Sequence, residues 1–208
     1  MTENSYEEKS KRLITIVSVF LLTFLTVVVM GIVAVVGSFI STYNNLVDLQ
    51  ENVAYAEANV ETMMQRRLEL IPDLVSTVKA YTKHEEQVFE DITNAREALA
   101  QSVEAGNLKQ LSEANDNLTT AVNRVISIVE DNPEITASEQ YISLMDQIEG
   151  SVNRISIARE NYNEEVSEYN RTIRHFPGKV LAEIYGFEEI ETFKADEQAS
   201  STNMVDFG

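Results

Sequence analysis

Charged residues near the middle of the chain are the first candidates for chemistry. Arg66 and Arg67 precede Pro72 and Asp73, and Glu85 follows further along the chain. On a helix, Asp73 and Glu85 lie about 18 Å apart along the axis, so these residues cannot form one compact catalytic site. We expect Arg66, Arg67, Pro72 and Asp73 to fix a turn. Glu85 is predicted to lie on the buried face of a helix, where a polar pair sets helix register. Ligand binding is the alternative.

The same register role is predicted for Asn115, which interrupts an otherwise apolar row. The candidate partners of Glu85 are Arg124, Arg154 and Arg159, and the sequence does not choose among them.

Catalytic and metal-binding motifs find little support. His84-Glu85 resembles the start of a zinc-protease motif, but the position of the second histidine is occupied by Val88. The chain has only one other histidine, His175, and no cysteine. It also lacks a glycine-rich phosphate loop and a Gly-x-Ser-x-Gly elbow. We therefore predict no enzymatic activity, no cofactor and no metal site.

The elements that must position these residues begin with an apolar stretch from Leu13 to Ile40. It contains no Asp, Glu, Lys or Arg. Its aliphatic and aromatic side chains favour membrane insertion by something on the order of 8 kcal/mol. A cleavable signal peptide is the competing interpretation, but its apolar core would be roughly 7 to 15 residues long. We predict an uncleaved transmembrane anchor.

The orientation of the anchor is predicted from its flanking cations. Lys9, Lys11 and Arg12 directly precede the span, whereas the first cation after it is Arg66. The positive-inside rule then predicts a single-pass cell-membrane protein with a cytoplasmic N-terminus and its helical domain on the outer face. The formal net charge of −18 excludes nucleic acid as a partner by bulk attraction. Predicted partners are the lipid bilayer, through Leu13 to Ile40, and a protein or further copies of the chain.

Four amphipathic segments follow the span, each with apolar residues alternating three and four positions apart. Their predicted ranges are 41–70, 73–103, 107–130 and 138–175. We expect a turn at Leu70-Ile71 with Pro72 opening the next helix; the alternative is one kinked helix running through Pro72. The predicted fold is all-α, with an N-terminal transmembrane helix followed by a long antiparallel up-down four-helix bundle.

The predicted organisation has four parts. Residues 1–12 form a short cytoplasmic N-terminus, 13–40 the anchor, 41–176 the bundle, and 177–208 a short helix with a flexible acidic tail.

Several stretches resemble the LemA family. The most specific is Arg66–Val75, which contains Arg-Arg, then Leu-Ile-Pro-Asp; others are Val78–Tyr81, Ala158–Asn163, Tyr169-Asn170 and Phe176-Pro177. The resemblance implies a bacterial single-pass membrane protein with a four-helix bundle and no established enzymatic activity. It marks Arg159, Tyr162 and Asn163 as candidate structural or partner-contact residues. Relatives are associated with membrane organisation, including magnetosome membranes, and with membrane metalloproteases.

The function predicted from the sequence is that of a non-catalytic, membrane-anchored helical scaffold, and the resemblance suggests a part in membrane organisation. The alternative is an adaptor for a membrane metalloprotease, and a weaker one is an enzyme with an unrecognised site.

Overall fold

A computed structural model describes residues 3–82 and 85–193 of the chain. Within these residues the protein is all-helical. In order along the chain the helices are α1 (Glu3–Lys79), α2 (Glu86–Ala105), α3 (Leu108–Glu130), α4 (Pro133–Thr136), α5 (Glu139–Arg174) and α6 (Gly178–Tyr185). His84 and the acidic tail beyond Phe193 lie outside the described residues.

The predicted turn at Leu70-Ile71 was wrong. Helix α1 continues through Pro72 to Lys79, and the described residues that follow it, 80–82 and 85, are not helical. The alternative of one helix running through Pro72 therefore describes this region. Because proline has no backbone N–H, the carbonyl of Leu68 loses its helical donor. The side-chain Nε of Arg96, on α2, donates to that carbonyl oxygen at 3.1 Å.

The bounds of α3 and α5 confirm the predicted third and fourth segments to within a residue or two. Gly106 ends α2 with a φ of 62°, which is why glycine suits this position. Asn107 then caps α3 by accepting a hydrogen bond from the backbone N–H of Gln110 at 3.0 Å. The one-turn helix α4 was not predicted, whereas α6 lies where a short helix was expected.

The chain divides into two compact units. The first comprises Met1–Asp48 and Arg171–Glu188. This unit holds the apolar stretch of α1. Among the described residues, α1 is the only helix that is long and apolar enough to cross a membrane. None of that stretch is buried: Phe20 and Met30, for example, are 74% and 72% exposed. In the same unit α6 follows a cis peptide bond between Phe176 and Pro177.

The second unit comprises Leu49–Asn170 and Glu189–Gly208 and holds a continuous apolar core. Helices α2 and α3 pack against each other. The remainder of α1 and most of α5 add their apolar faces to this core. Fully buried members include Val60, Met64, Leu74, Ile92, Leu99, Leu118, Val125 and Val166.

Candidate functional site

Arg67 is the most deeply buried charged side chain among the described residues, at 1% exposed. Its Nη1 donates to Oδ1 of Asn115 at 2.6 Å and its Nη2 donates to Oγ1 of Thr119 at 3.0 Å. Both acceptors are neutral, and the Nε of Arg67 has no hydrogen-bond partner. Asn115, which was predicted to set helix register, therefore accepts a hydrogen bond from a cation on α1.

Burial sets the electrostatics of this cluster. Desolvation, helped by the neighbouring charge of Arg159 and opposed by Asp116, lowers the pKa of Arg67 to about 10. The guanidinium of Arg67 thus remains charged at neutral pH. The two hydrogen bonds described above go to neutral acceptors rather than to a carboxylate. An uncompensated buried charge costs stability, so we interpret it as a device that fixes how α1 and α3 align rather than as a source of net stability.

The second polar arrangement is a clamp on α5 that holds an extended segment of the chain, residues 190–193. Asn163 accepts a hydrogen bond from the backbone N–H of Phe193 at 2.8 Å and donates one to its carbonyl oxygen at 3.0 Å. Asn170 forms the same two bonds with Ile190, at 3.0 and 2.8 Å. We call these two side chains the asparagine clamp. Each amide replaces the neighbouring strand that an extended backbone would pair with in a sheet.

The spacing of the clamp follows from helix and strand geometry. Asn163 and Asn170 are two helical turns apart, which is about 10.5 Å along the axis of α5. The residues they hold, Ile190 and Phe193, are separated by about 10 Å of extended chain. The two rises therefore match, so both amides reach the backbone at once. Because these bonds involve only backbone atoms of residues 190 and 193, they do not depend on which side chains the segment carries.

The side chain of Phe193 adds contacts that do depend on residue type. Its side chain is 5% exposed, and its ring meets the ring of Tyr162 edge-on at a centroid distance of 5.2 Å. The guanidinium carbon of Arg159 lies 5.2 Å from the centre of the Phe193 ring, in cation–π geometry. Tyr162 also donates its hydroxyl proton to the carbonyl oxygen of Glu191 at 3.1 Å.

The hydroxyl of Tyr162 is held in its protonated, donating form. Desolvation is the main cause, and the nearby charges of Glu57 and Glu191 add to it, together raising the pKa of Tyr162 to about 12. Burial, with the adjacent charge of Glu61, also raises the pKa of Glu57. This end of the second unit therefore disfavours additional negative charge.

Comparison with known proteins places this chain in a family. The LemA family model matches residues 56–207, a range that contains Arg67, Asn115 and the asparagine clamp. The chain belongs to the LemA family. It is 27% identical to the magnetosome proteins MamQ 1 and MamQ 2 of Paramagnetospirillum magneticum over 200 residues, which are 85% of this chain and 73% of each relative. It is 26% identical to magnetosome protein MamQ of Magnetospirillum gryphiswaldense over 204 residues, 87% and 75% of the two chains.

In this LemA-family chain the structure brings together only some of the residues singled out by sequence. Arg67 joins Asn115, and Arg159 and Tyr162 join Asn163 around the extended segment. The other candidates lie apart from both groups. Arg66, Pro72 and Asp73 are exposed along α1.

The prediction for Glu85 was wrong. The residue precedes the first turn of α2, is partly exposed, and its carbonyl oxygen accepts from the backbone N–H of Phe89 at 3.2 Å. Glu85 therefore does not lie on a buried helical face. One of its candidate partners, Arg124, instead forms an ion pair with Asp91 at 2.8 Å. The reason is that helix α1 extends through Pro72, which moves the break in the chain to the residues around Glu85.

Sequence reasoning gave Asn170 and Arg96 no structural role and missed the docking of residues 190–193, which had been expected to begin a loose tail. A signal for the clamp exists in the repeated pair Tyr-Asn at 162–163 and 169–170, one heptad apart. The two tyrosines are buried and the two asparagines adjoin them on the side where the extended segment lies. Arg96 has no such repeat, and only the pair Ala95-Arg96 of the family resemblance marked it.

The described residues contain no group of three or more His, Cys, Asp or Glu side chains arranged to hold a metal ion. One cavity of about 540 Å³ lies on α5 and is lined by side chains of that helix alone, among them Glu139, Asp146 and Arg154. It is an open depression on the surface of one helix. The chemistry that the described residues support is hydrogen bonding to a peptide backbone and burial of an aromatic ring.

Proposed function

We propose that this LemA-family protein is a non-catalytic, single-pass membrane protein whose helical part binds protein partners or further copies of itself. The observation that carries the proposal is the unburied apolar stretch of α1. Soluble monomeric proteins rarely expose contiguous apolar surfaces of this size, because water does not solvate them favourably. A bilayer accommodates such a helix, whose backbone hydrogen bonds are all satisfied internally.

For the helical part we propose an antiparallel up-down four-helix bundle made of α2, α3 and the parts of α1 and α5 that belong to the second unit. Side-chain contacts support it: Arg67 links α1 to α3, Arg96 links α2 to α1, and Arg124 links α3 to Asp91 on α2. The connections between α1, α2 and α3 are short, which favours antiparallel neighbours.

The proposed orientation has the N-terminus in the cytoplasm and the helical part on the outer face of the cell membrane. It rests on Lys9, Lys11 and Arg12, which precede the span directly. Protease treatment of intact cells tests this orientation. Digestion of the helical part supports it, and protection until the cells are broken reverses it.

The proposed partners are neutral or cationic surfaces, since the chain carries a formal net charge of −18. The magnetosome relatives suggest a part in membrane organisation. Crosslinking in intact cells, followed by identification of the captured proteins, tests the scaffold role. Copies of this chain or other structural proteins support it, whereas consistent capture of a membrane metalloprotease favours the adaptor role instead.

The anchor itself is tested by substituting Val27 and Val28, near the middle of the apolar stretch, with lysine. Each lysine costs about 2.5 to 3.5 kcal/mol at the centre of a span, so the pair removes most of the insertion free energy. We expect the double variant to leave the membrane fraction. The matched control, with both valines changed to leucine, is expected to remain there. Retention of the lysine variant in the membrane would refute the proposal that this stretch is the anchor.

A further inference from the structure

A second apolar surface lies in the first unit, just before and along α6. Val180 and Ile184, four residues apart on α6, share one face of that helix, and Phe176 lies in the turn before it. Phe176, Val180 and Ile184 are 78%, 37% and 65% exposed, respectively, while Gly178 and Leu181 on other sides of the same segment are buried. We call these three exposed residues the apolar stripe; within it, the ring of Phe176 contacts Phe39 of α1.

Aromatic contacts place this stripe at the C-terminal end of the apolar stretch of α1. The ring of Phe176 meets the ring of Phe39 edge-on at 5.9 Å, and Phe39 is the last residue but one of that stretch. One turn further along α1, the ring of Tyr43 lies 4.8 Å from that of Tyr185. Aromatic side chains are enriched at the level of the lipid headgroups, where an apolar ring and a polar hydroxyl are both accommodated.

The charge of this segment is opposite to that of the whole chain. Between positions 171 and 185 it carries Arg171, Arg174 and Lys179 against a single acid, Glu183, although the chain has a formal net charge of −18. Cationic side chains next to a membrane-spanning helix attract anionic lipid headgroups. The bulk charge therefore repels an acidic membrane while this segment attracts it locally.

A cavity of about 300 Å³ opens among these residues, lined by Thr42 and Asn45 of α1 and by Arg171, Thr172 and His175 near the end of α5. The Nδ1 of His175 lies 2.7 Å from the carbonyl oxygen of Arg171, so Nδ1 donates its proton there. The lining thus combines a guanidinium, an imidazole, two hydroxyls and an amide. Such groups suit a phosphate, and Arg in particular matches its geometry.

We propose that residues 171–185 form a lipid-binding site at the membrane surface. The stripe of Phe176, Val180 and Ile184 enters the headgroup region of the bilayer, and the cavity holds the phosphate of an anionic phospholipid, with Arg171 as a donor. This inference rests on the proposed function, since it requires α1 to span the same bilayer. It extends that function from a single helical anchor to a second, lipid-selective contact.

The test uses tryptophan fluorescence, because the natural chain contains no Trp and a single introduced one reports only its own position. The full chain carrying Ile184→Trp is reconstituted in nanodiscs of phosphatidylcholine that contain either brominated phosphatidylcholine or brominated phosphatidylglycerol in equal amounts. Bromine quenches a tryptophan that contacts the labelled lipid. A chain carrying Met30→Trp, in the middle of the apolar stretch, serves as the benchmark for lipid contact.

We expect the Ile184→Trp chain to be quenched in both nanodiscs, and more strongly by brominated phosphatidylglycerol. Adding Arg171→Gln should abolish that preference, whereas Lys109→Gln, an exposed cation on α3, should leave it intact. If Arg171→Gln fails to fold by circular dichroism, Lys179→Gln provides the same test at another exposed cation of residues 171–185.

Three results would overturn the inference. The first is quenching of the Met30→Trp chain without quenching of the Ile184→Trp chain, which leaves the proposed anchor standing. The second is equal quenching of the Ile184→Trp chain by the two lipids. The third is loss of the lipid preference on adding inorganic phosphate, which would make free phosphate the ligand. Failure of lipid to quench the Met30→Trp chain would instead refute the proposed span.

Discussion

The contact between Arg96 and the carbonyl oxygen of Leu68 yields the sharpest prediction. Leu68 is 2% exposed, so its carbonyl cannot be satisfied by bulk water once the helical donor at Pro72 is missing. A buried acceptor that loses its only donor costs about 1 to 3 kcal/mol. We therefore expect Arg96→Met, which keeps an apolar stem but removes the donor, to destabilise the protein by that amount. For a domain of this size the melting temperature should fall by roughly 2–10 °C.

The cause is separated from simple loss of packing by repeating the substitution in a Pro72→Ala background. Alanine restores a backbone N–H four residues after Leu68, so the carbonyl regains its helical donor. Pro72→Ala alone should stabilise the protein, since alanine is far better than proline inside a helix. In this background Arg96→Met should cost less than about 1 kcal/mol, which gives a coupling free energy of about 1 to 2 kcal/mol between the two positions.

The assay is thermal and chemical denaturation of the detergent-solubilised chain, followed by circular dichroism, for both single variants and the double variant. Arg66→Met is the matched control, because Arg66 is an exposed arginine on α1, the helix of Leu68 and Pro72, and should change stability by no more than about 0.5 kcal/mol. Equal costs of Arg96→Met with proline or alanine at position 72 would refute the reasoning.

Three further predictions concern the two polar arrangements in the second unit. Asn163→Ala and Asn170→Ala should each free residues 190–193 from α5, seen as faster amide hydrogen exchange at Ile190 and Phe193 with little change in exchange on α3; unchanged exchange would mean that the ring of Phe193 alone holds the segment. Arg67→Met should destabilise the protein by about 1 to 3 kcal/mol because Asn115 loses its donor, and adding Asn115→Leu should recover much of the loss; an additive loss in the double variant would contradict this account. The contribution of Tyr162 to the free energy of unfolding should be complete below pH 10, the ordinary pKa of tyrosine, and should decline as pH rises through its raised pKa of about 12, because the folded chain binds the proton more tightly than the unfolded one. Tyr162→Phe should therefore lessen alkaline destabilisation in that range. An identical alkaline profile for the variant would argue against the pKa shift.

Much of the helical layout follows from local sequence signals. Helices α3 and α5 have strong apolar periodicity, and the glycine and asparagine at 106–107 stop one helix and cap the next through bonds only a few residues long. The apolar stretch of α1 is equally local, since its length and lack of charge are properties of consecutive residues. The family resemblance, read from short motifs, was confirmed by the match over residues 56–207.

The candidate site was less predictable, because its contacts join residues far apart in the chain. Arg67 was singled out as a turn residue, yet its role depends on Asn115 and Thr119, about fifty positions away. Glu85 was assigned to a buried face because the heptad register was extended through a break that the local pattern does not reveal. Arg159 was considered as a partner of Glu85 and, with Tyr162, was marked by the family resemblance, but their common partner, Phe193, carried no signal of its own.

What the sequence by itself determined, then, is the all-helical character, the long apolar N-terminal segment and the acidic surface, since each depends on composition or on spacings of three and four residues. The tertiary structure alone decided that α1 runs through Pro72 and that α5 binds an extended segment. Both outcomes depend on a donor or acceptor brought in from another part of the chain. The Arg96 side chain completes a helix that its own backbone leaves one hydrogen bond short, and the two asparagines complete an extended backbone that no strand accompanies.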